Sequence, residues 1–299
     1  MTEKFHGKGE YGIVQRFRRK GGVPLEHQTT LASEISYSGV GLHSGAEVHM
    51  KIKPAPAGTG VVFERTDISG RPRVRASASN VAATVRATTI EENGARFFTI
   101  EHLMSAIAAF GLDNCIVELD SEEPPVADGA SLAFLDLLAG AGLKPLEAER
   151  DVVAVDRVLR VDDGERFVMI VPGDGLRITF TSLNPHPLVG TQYVDVIVDG
   201  DSYRKEIAPA RTIAYEGEVE ALRKAGLGLG GTLETVIVYN DERWLNTLRF
   251  PDELARHKVL DVIGDLRLAG VVRGHVIAVK SAHALNTALA RKIYETYRV

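Results

Sequence analysis

Apolar residues recur along this chain with two different periods. In AEVHMKIKPA, Val48, Met50 and Ile52 alternate with polar positions, the two-residue period of a half-buried strand. GVVFERT and RPRVRASASNV continue the strand-rich stretch, and GVGLHSG forms a glycine-rich turn that places His43 on a loop. The period then changes. In TIEHLMSAIAAFGLDN, Ile100, Leu103, Ile107 and Phe110 form a helical stripe, with Thr99 placed to cap its start and Gly111 to stop it. NCIVELD predicts a buried strand, SEEPPVADGAS a turn and SLAFLDLLAGAG an apolar helix. From about Arg150 the pattern restarts: VVAVDRVLRV, RFVMIVP, LRITFTS and TQYVDVIVDG read as strands, joined by the proline-rich bend LNPHPLVG. PARTIAYEGEVEALRKAGLGLGGTLETVIVYND gives a loop, a short helix ended by Gly226, a glycine-rich turn and a strand. A helix over Phe250–Gly270, the strand GHVIAVK and the helix SAHALNTALARKIYE complete the chain.

The two halves end alike, in helix, strand, helix: EHLMSAIAAFG, NCIVELD and SLAFLDLLAG parallel HKVLDVIGDLRLAG, GHVIAVK and HALNTALARKI. The pattern predicts an internal duplication and an α+β fold of two similar sheet-and-helix domains, residues 28–148 and 149–299. Clefts between domains are favoured ligand sites, so the seam is where function is expected.

The chemistry concentrates on Phe250–Gly270. At about 100° per residue, His257, Lys258, Asp261 and Asp265 share roughly a quarter of the helix circumference, and Val259, Ile263 and Leu266 lie opposite. One face is expected to pack and the other to react. His257 and Asp261, one turn apart, can hold one metal ion between an imidazole and a carboxylate. A solvated helix with a His-Asp pair fits the same spacing, so a third ligand must decide. His102, in the first turn of the earlier helix, supplies a candidate, and the helix dipole there favours the carboxylate of Glu101 and a neutral, metal-binding imidazole. Two histidines and an aspartate leave a fourth position for water, whose proton Glu101 is placed to take.

Composition narrows the alternatives. Thirty-five basic residues against 40 acidic ones give a net charge of −5, and no basic patch interleaved with aromatics runs through the body of the chain, so nucleic acid is not an expected partner. No apolar run approaches the ~20 residues of a membrane span. Cys115 is the sole cysteine, which excludes internal disulfides and thiolate zinc clusters. Lys4, Lys8, Arg16, Arg18, Arg19 and Lys20 make residues 1–27 a basic extension, expected to be mobile.

TTLASEISYSGVGLHSG, TIEHLMSAIAAFGLDNCIVELDSEEPPVADGAS, ARTIAYEGEVEALRKAGLGLGGT, LRFPDELARHKVLDVIGDLRLAG and KSAHALN closely resemble the UDP-3-O-acyl-N-acetylglucosamine deacetylases, zinc amidases of lipid A biosynthesis. The resemblance runs from about Gln28 to the C-terminus. It implies two α+β domains with their helices packed between the sheets, and removal of acetate from the amino sugar of UDP-3-O-(3-hydroxyacyl)-N-acetylglucosamine, the committed step of that pathway. It also implies zinc held by His102, His257 and Asp261 (iron(II) suits the same donors) and Glu101 as general base. His283 corresponds to an imidazolium acid oriented by Asp265, and Thr212 to a hydroxyl that donates to the oxyanion. Lys258 and His43 match positions that contact substrate. Residues 213–231 match an insert forming a passage for the acyl chain, with Ala221, Leu222, Leu227 and Leu229 expected as lining. A monomer in the cytoplasm is expected. LNPHP departs from the family bend, which carries an acidic residue shortly before His-Pro. That departure leaves open a zinc deacetylase of another acetylated amino sugar, and a non-catalytic binder of nucleotide sugars or acyl chains is the alternative from a different class.

Overall fold

The computed structural model describes residues 27–297; apart from His27, the basic extension lies outside them. The first half runs β1 (His27–Leu31), β2 (Ile35–Val40), β3 (Glu47–Pro54), β4 (Val61–Arg65), β5 (Arg73–Arg75), β6 (Val81–Ala83), β7 (Thr89–Glu92) and β8 (Ala95–Phe97). It continues with α1 (Glu101–Phe110), β9 (Cys115–Leu119), α2 (Leu132–Ala141) and β10 (Leu143–Glu149), which returns to pair with β1. The second half runs β11 (Val152–Ala154), β12 (Leu159–Asp163), β13 (Arg166–Val171), β14 (Leu176–Leu183), β15 (Thr191–Ile197) and α3 (Gly200–Ser202), which passes into a π turn. Then come β16 (Thr212–Tyr215), α4 (Glu216–Lys224), β17 (Val236–Tyr239), α5 (Glu253–Leu266), β18 (Val271–Val279) and α6 (His283–Tyr297).

The duplication is explicit in the sheets. One has the order β2-β3-β9-β4-β5 and the other β12-β13-β18-β14-β15, with β11 added alongside β18. In each, the strand after the first long helix (β9 or β18) lies centrally, antiparallel to one neighbour and parallel to the other. The period-2 pattern of β3 behaves as read: Val48, Met50 and Ile52 are buried while Glu47 and His49 face water. Both sheets turn such rows inward onto α1, α2, α5 and α6. A single apolar core joins Val48 and Phe63 of one sheet to Phe180 and Val276 of the other through Leu103, Ile107, Val259 and Ile263. The fold is α+β, two like halves with the long helices between the sheets.

Four local expectations change. The helix expected over Phe250–Gly270 is α5, shorter by a turn at each end, and it has no solvated face. His257, Asp261 and Asp265 are as buried as Val259 and Ile263, because α1 and α6 cover the side turned away from β14 and β15. Thr99 does not cap α1. It sits at φ +55° and donates its hydroxyl to the buried carboxylate of Glu123 (2.7 Å), so the helix starts at Glu101 without a side-chain cap. Gly111, at φ +79°, closes α1 as expected. Residues 212–215, expected as loop, are strand β16, paired in parallel with β17. The strands β1, β7, β8 and β10 complete two small sheets that local periodicity does not announce.

Candidate active site

The α1–α5 crossing builds the site. It is close because of a glycine: a Cβ added at Gly264 would stand 2.1 Å from the carbonyl oxygen of Glu101. With that approach, the first turn of α1 lies directly on the middle of α5, and His102 meets His257 edge-on with ring centroids 4.9 Å apart. Asp261 Oδ1 is 3.4 Å from His257 Nε2 and 3.9 Å from His102 Nε2. Ligand atoms each about 2.0–2.2 Å from one tetrahedral ion stand roughly 3.3–3.6 Å apart, so this donor set is near the required spacing. The three residues form a buried group whose ligand atoms all lie within 4.8 Å of one another.

Tautomer and charge agree with ligation. His257 Nδ1 donates to the Ala210 carbonyl (3.0 Å), which leaves Nε2 unprotonated and turned to the site. That carbonyl is itself held in place: Arg211, next in the chain, donates its backbone and side-chain N–H groups to Glu253, buried in the first turn of α5. Burial, then the neighbouring His257, lowers His102 to about 3, and burial lowers His257 as well, so both imidazoles are neutral. Burial works against the Asp261 carboxylate, yet the Lys258 ammonium at 2.8 Å, joined by the His283 cation, holds it well below the usual range. Oδ1 faces the histidines while Oδ2 takes Lys258.

Two titratable groups flank this cluster. Burial raises Glu101 to about 7, with His283 pulling it down and the Asp265 and Asp261 carboxylates pushing it up. Its Oε2 accepts from the Thr88 backbone N–H at 3.0 Å. His283, the first residue of α6, is opposed by burial but raised to about 10 by Asp265 foremost and then by Glu101 and Asp261. Its Nδ1 donates to Asp265 Oδ2 at 3.0 Å, and Nε2 lies 3.8 Å from Glu101 Oε1. Asp265 is held from three sides: Thr88 Oγ1 donates to Oδ1 (2.5 Å), and Asn286 Nδ2 and His283 converge on Oδ2.

These groups open into a cavity of about 700 Å³. Glu101, His102, His257, Lys258, Asp261 and His283 line its polar end with His43 and Thr212, whose N–H donates to the Gly129 carbonyl. Ile213, Val219, Leu222 and Leu227 line an apolar end under α4. Leu229 and Ala221, expected in that lining, lie outside it. Leu229 is half-exposed, and its N–H donates to the His43 carbonyl, which docks its turn on the His43 loop rather than in the cavity. Asp265 lies behind His283 and reaches the cavity through it.

Three supporting residues are not singled out from the sequence. Thr88 touches both flanking groups, Asn286 holds Asp265, and Glu123 ties the start of α1 to the His43 loop by accepting from Thr99, from the backbones of His43 and Ser44 and from the Ser44 hydroxyl. Each is an ordinary polar residue whose partners are remote in sequence. Asn286 and Glu123 lie within segments that carry the family resemblance, KSAHALN and SEEPPVADGAS, whereas Thr88 lies in none.

The sequence model of the LpxC family, UDP-3-O-acyl N-acetylglycosamine deacetylase, matches residues 28–295. The chain belongs to this family. Curated relatives named UDP-3-O-acyl-N-acetylglucosamine deacetylase include one from Acidithiobacillus ferrooxidans, 42% identical over 271 residues that make up 89% of each chain. One from Anaeromyxobacter sp. is 42% identical over 89% of this chain and 88% of its own, and one from Marinobacter nauticus is 40% identical over 89% of each. The span matched by the family model contains the positions of all three candidate ligands and both flanking groups. Among the described residues, no helix is long and apolar enough to cross a membrane.

Proposed function

We propose that this protein hydrolyses the N-acetyl group of UDP-3-O-acyl-N-acetylglucosamine, releasing acetate and leaving the free amine, a step of lipid A biosynthesis. The observation that carries this reading is the joining of two features in one cavity: a buried His102–His257–Asp261 cluster flanked by Glu101 and His283, and an apolar extension under α4. A cluster of this kind suits amide hydrolysis, and the extension suits an acyl chain.

The donor set fits zinc: two neutral imidazoles and an ionised carboxylate with room for water. Bound there, the ion would polarise the amide carbonyl and make a water molecule more acidic. Glu101, raised to about 7, takes a proton from the attacking water near neutral pH. His283 is cationic under the same conditions, stabilises the oxyanion as it develops and gives its proton to the amine as the C–N bond breaks. Asp265 keeps that imidazole charged and oriented. Thr212 adds a hydroxyl donor to the oxyanion, and Lys258 and His43 lie where the remainder of the substrate would pass.

The test is acetate release from UDP-3-O-acyl-N-acetylglucosamine by metal-loaded protein, with a chelator-treated sample beside it. Turnover that chelator abolishes and zinc restores is expected. Metal-loaded protein that releases no acetate from this compound would redirect the reading to another acetylated amino sugar.

A further inference from the structure

The helix that covers the apolar end of the cavity is weakly held. No residue of α4 is buried; it meets the cavity through Val219 and Leu222, with Glu216 and Arg223 also on the lining. The chain that follows is firmly docked. Gly228 N–H donates to His43 Nδ1, Leu229 N–H to the His43 carbonyl and Gly230 N–H to the Leu42 carbonyl. Gly230 lies so close that a Cβ there would fall 2.1 Å from the Gly41 carbonyl oxygen. An ion pair ties the helix to the first half: Arg86 Nη2 to Glu218 Oε2, 2.8 Å, across 132 residues of sequence.

Arg86 is placed with some strain. It sits at φ +62°, a left-handed conformation that a non-glycine residue rarely adopts. The His43 ring donates to its backbone carbonyl, and two residues on, Thr88 holds Glu101 and Asp265. Thr84 and Arg86 both line the cavity. One short segment therefore touches the base, the support of the acid and the cover of the passage.

We propose that Arg86 and Glu218 form a specificity-determining latch that holds α4 over the apolar end of the cavity and so selects acyl chains by length. The inference rests on the proposed reaction. Both side chains are about half exposed, 53% and 52%. Pairs of this kind are weak and screened by salt, so the latch opens readily enough to admit a chain and closes upon it. Its strength, about 1.4- to five-fold in an equilibrium, reaches at its upper end the roughly four-fold in affinity of one fully buried methylene. A latch of that size shifts discrimination by at most about one methylene, too little to affect folding and enough to set a length preference.

Two measurements on the full, metal-loaded chain test this. In the first, kcat/KM is compared across substrates of increasing acyl length for wild type, Arg86→Ala, Glu218→Ala, the double alanine variant and the charge swap Arg86→Glu/Glu218→Arg. Each single variant is expected to flatten the length profile by about 1.4- to five-fold between the best chain and its neighbours. The double variant should do no worse than either single one, and the swap should restore most of the profile. A uniform fall at every length in Arg86→Ala, with Glu218→Ala unaffected, would overturn the latch and assign Arg86 to the substrate's phosphates. In the second, hydrogen exchange of amides 216–224 is followed without substrate. Faster exchange in both single variants supports the latch even if the proposed substrate is not turned over, which separates the two readings. Identical exchange in wild type and Arg86→Ala would overturn it whatever the turnover.

Discussion

The two halves share a topology and divide the chemistry unequally. α1 and α5 occupy equivalent places before the central strands, yet α1 offers its end to the site and α5 its middle. Glu101 and His102 stand in the first turn of α1, where backbone N–H groups are free and a carboxylate is favoured. His257, Asp261 and Asp265 occupy successive turns of α5, where the backbone is satisfied and only side chains can act. α2 and α6 diverge further. α2 carries no titratable group toward the site, whereas α6 begins with His283. The additions between strands differ as well: the first half has the antiparallel β6-β7-β8, and the second has the β16–α4–β17 unit that covers the passage. Duplication supplied two packing surfaces; the site exists only where unlike parts of the two copies meet. Neither half alone holds the three proposed ligands, or the proposed base together with the proposed acid.

The largest effect should come from breaking that union at a ligand. His257→Ala leaves one ligand on each half, and we expect loss of tightly bound zinc by elemental analysis and loss of turnover by about 10³-fold or more. Full zinc occupancy in this variant would remove α5 from the metal site. Glu101→Gln removes the first half's other contribution and sharpens the contrast, since it should keep zinc while turnover falls by about 10²–10⁴-fold. Equal loss of metal would mean that Glu101 is a ligand. Gly264→Ala tests the crossing itself. The added methyl meets the Glu101 carbonyl oxygen, so the helices must part. A loss of about 1–3 kcal/mol in denaturant unfolding is expected, with turnover reduced by more than zinc affinity because Glu101 moves first. Wild-type stability and turnover would show that the crossing tolerates wider spacing than the site geometry implies.

Much of this arrangement is legible without coordinates, for reasons that also explain what is not. α1, α2, α5 and α6 are read correctly because the helices carry strong apolar stripes and their ends are marked, as Gly111 marks α1. The repeat is legible because its order survives where residue identity does not. β10 escapes because LKPLEAE contains a proline and mostly exposed positions, and it is a strand only through β1, far away in sequence. β16 escapes because its partner β17 comes after α4 and the glycine-rich turn. At the site, the clustering of the two proposed ligands on one side of α5 follows from helical spacing, but the burial of the face that carries them does not. Nothing local says that α1 will cover it, and the solvated reading of His257 and Asp261 fails only when Gly264 lets Glu101 approach. Thr88 is the clearest omission. A threonine in RATTIEE has no distinguishing mark, and its significance arises from contacts to residues 13 and 177 positions away.

Smaller effects separate charge from orientation on the second half's side. Asp265→Asn removes the foremost carboxylate that raises His283. With that charge gone, burial and the remaining carboxylates leave the imidazole less basic, so the cation is lost at lower pH. The alkaline limb of the rate–pH profile should therefore move down, and turnover should fall by about 10–100-fold, less than the roughly 10²–10⁴-fold that a general acid or base contributes. An unmoved limb would detach Asp265 from the acid.

Thr88→Val should have the mildest consequence. Valine keeps the shape and the backbone N–H that Glu101 accepts, and removes the hydroxyl that is given to Asp265 Oδ1 and lies 3.3 Å from His283 Nδ1. Every charge around His283 remains, so the alkaline limb should stay near its wild-type position while turnover falls only a few-fold, about the worth of one hydrogen bond. If the limb moved as far as in Asp265→Asn, the hydroxyl would be setting the protonation of His283. The first half would then supply more than a base and a ligand: through one side chain of the segment before β7 it would also govern the acid, and the division of labour between the halves would have to be redrawn at Thr88.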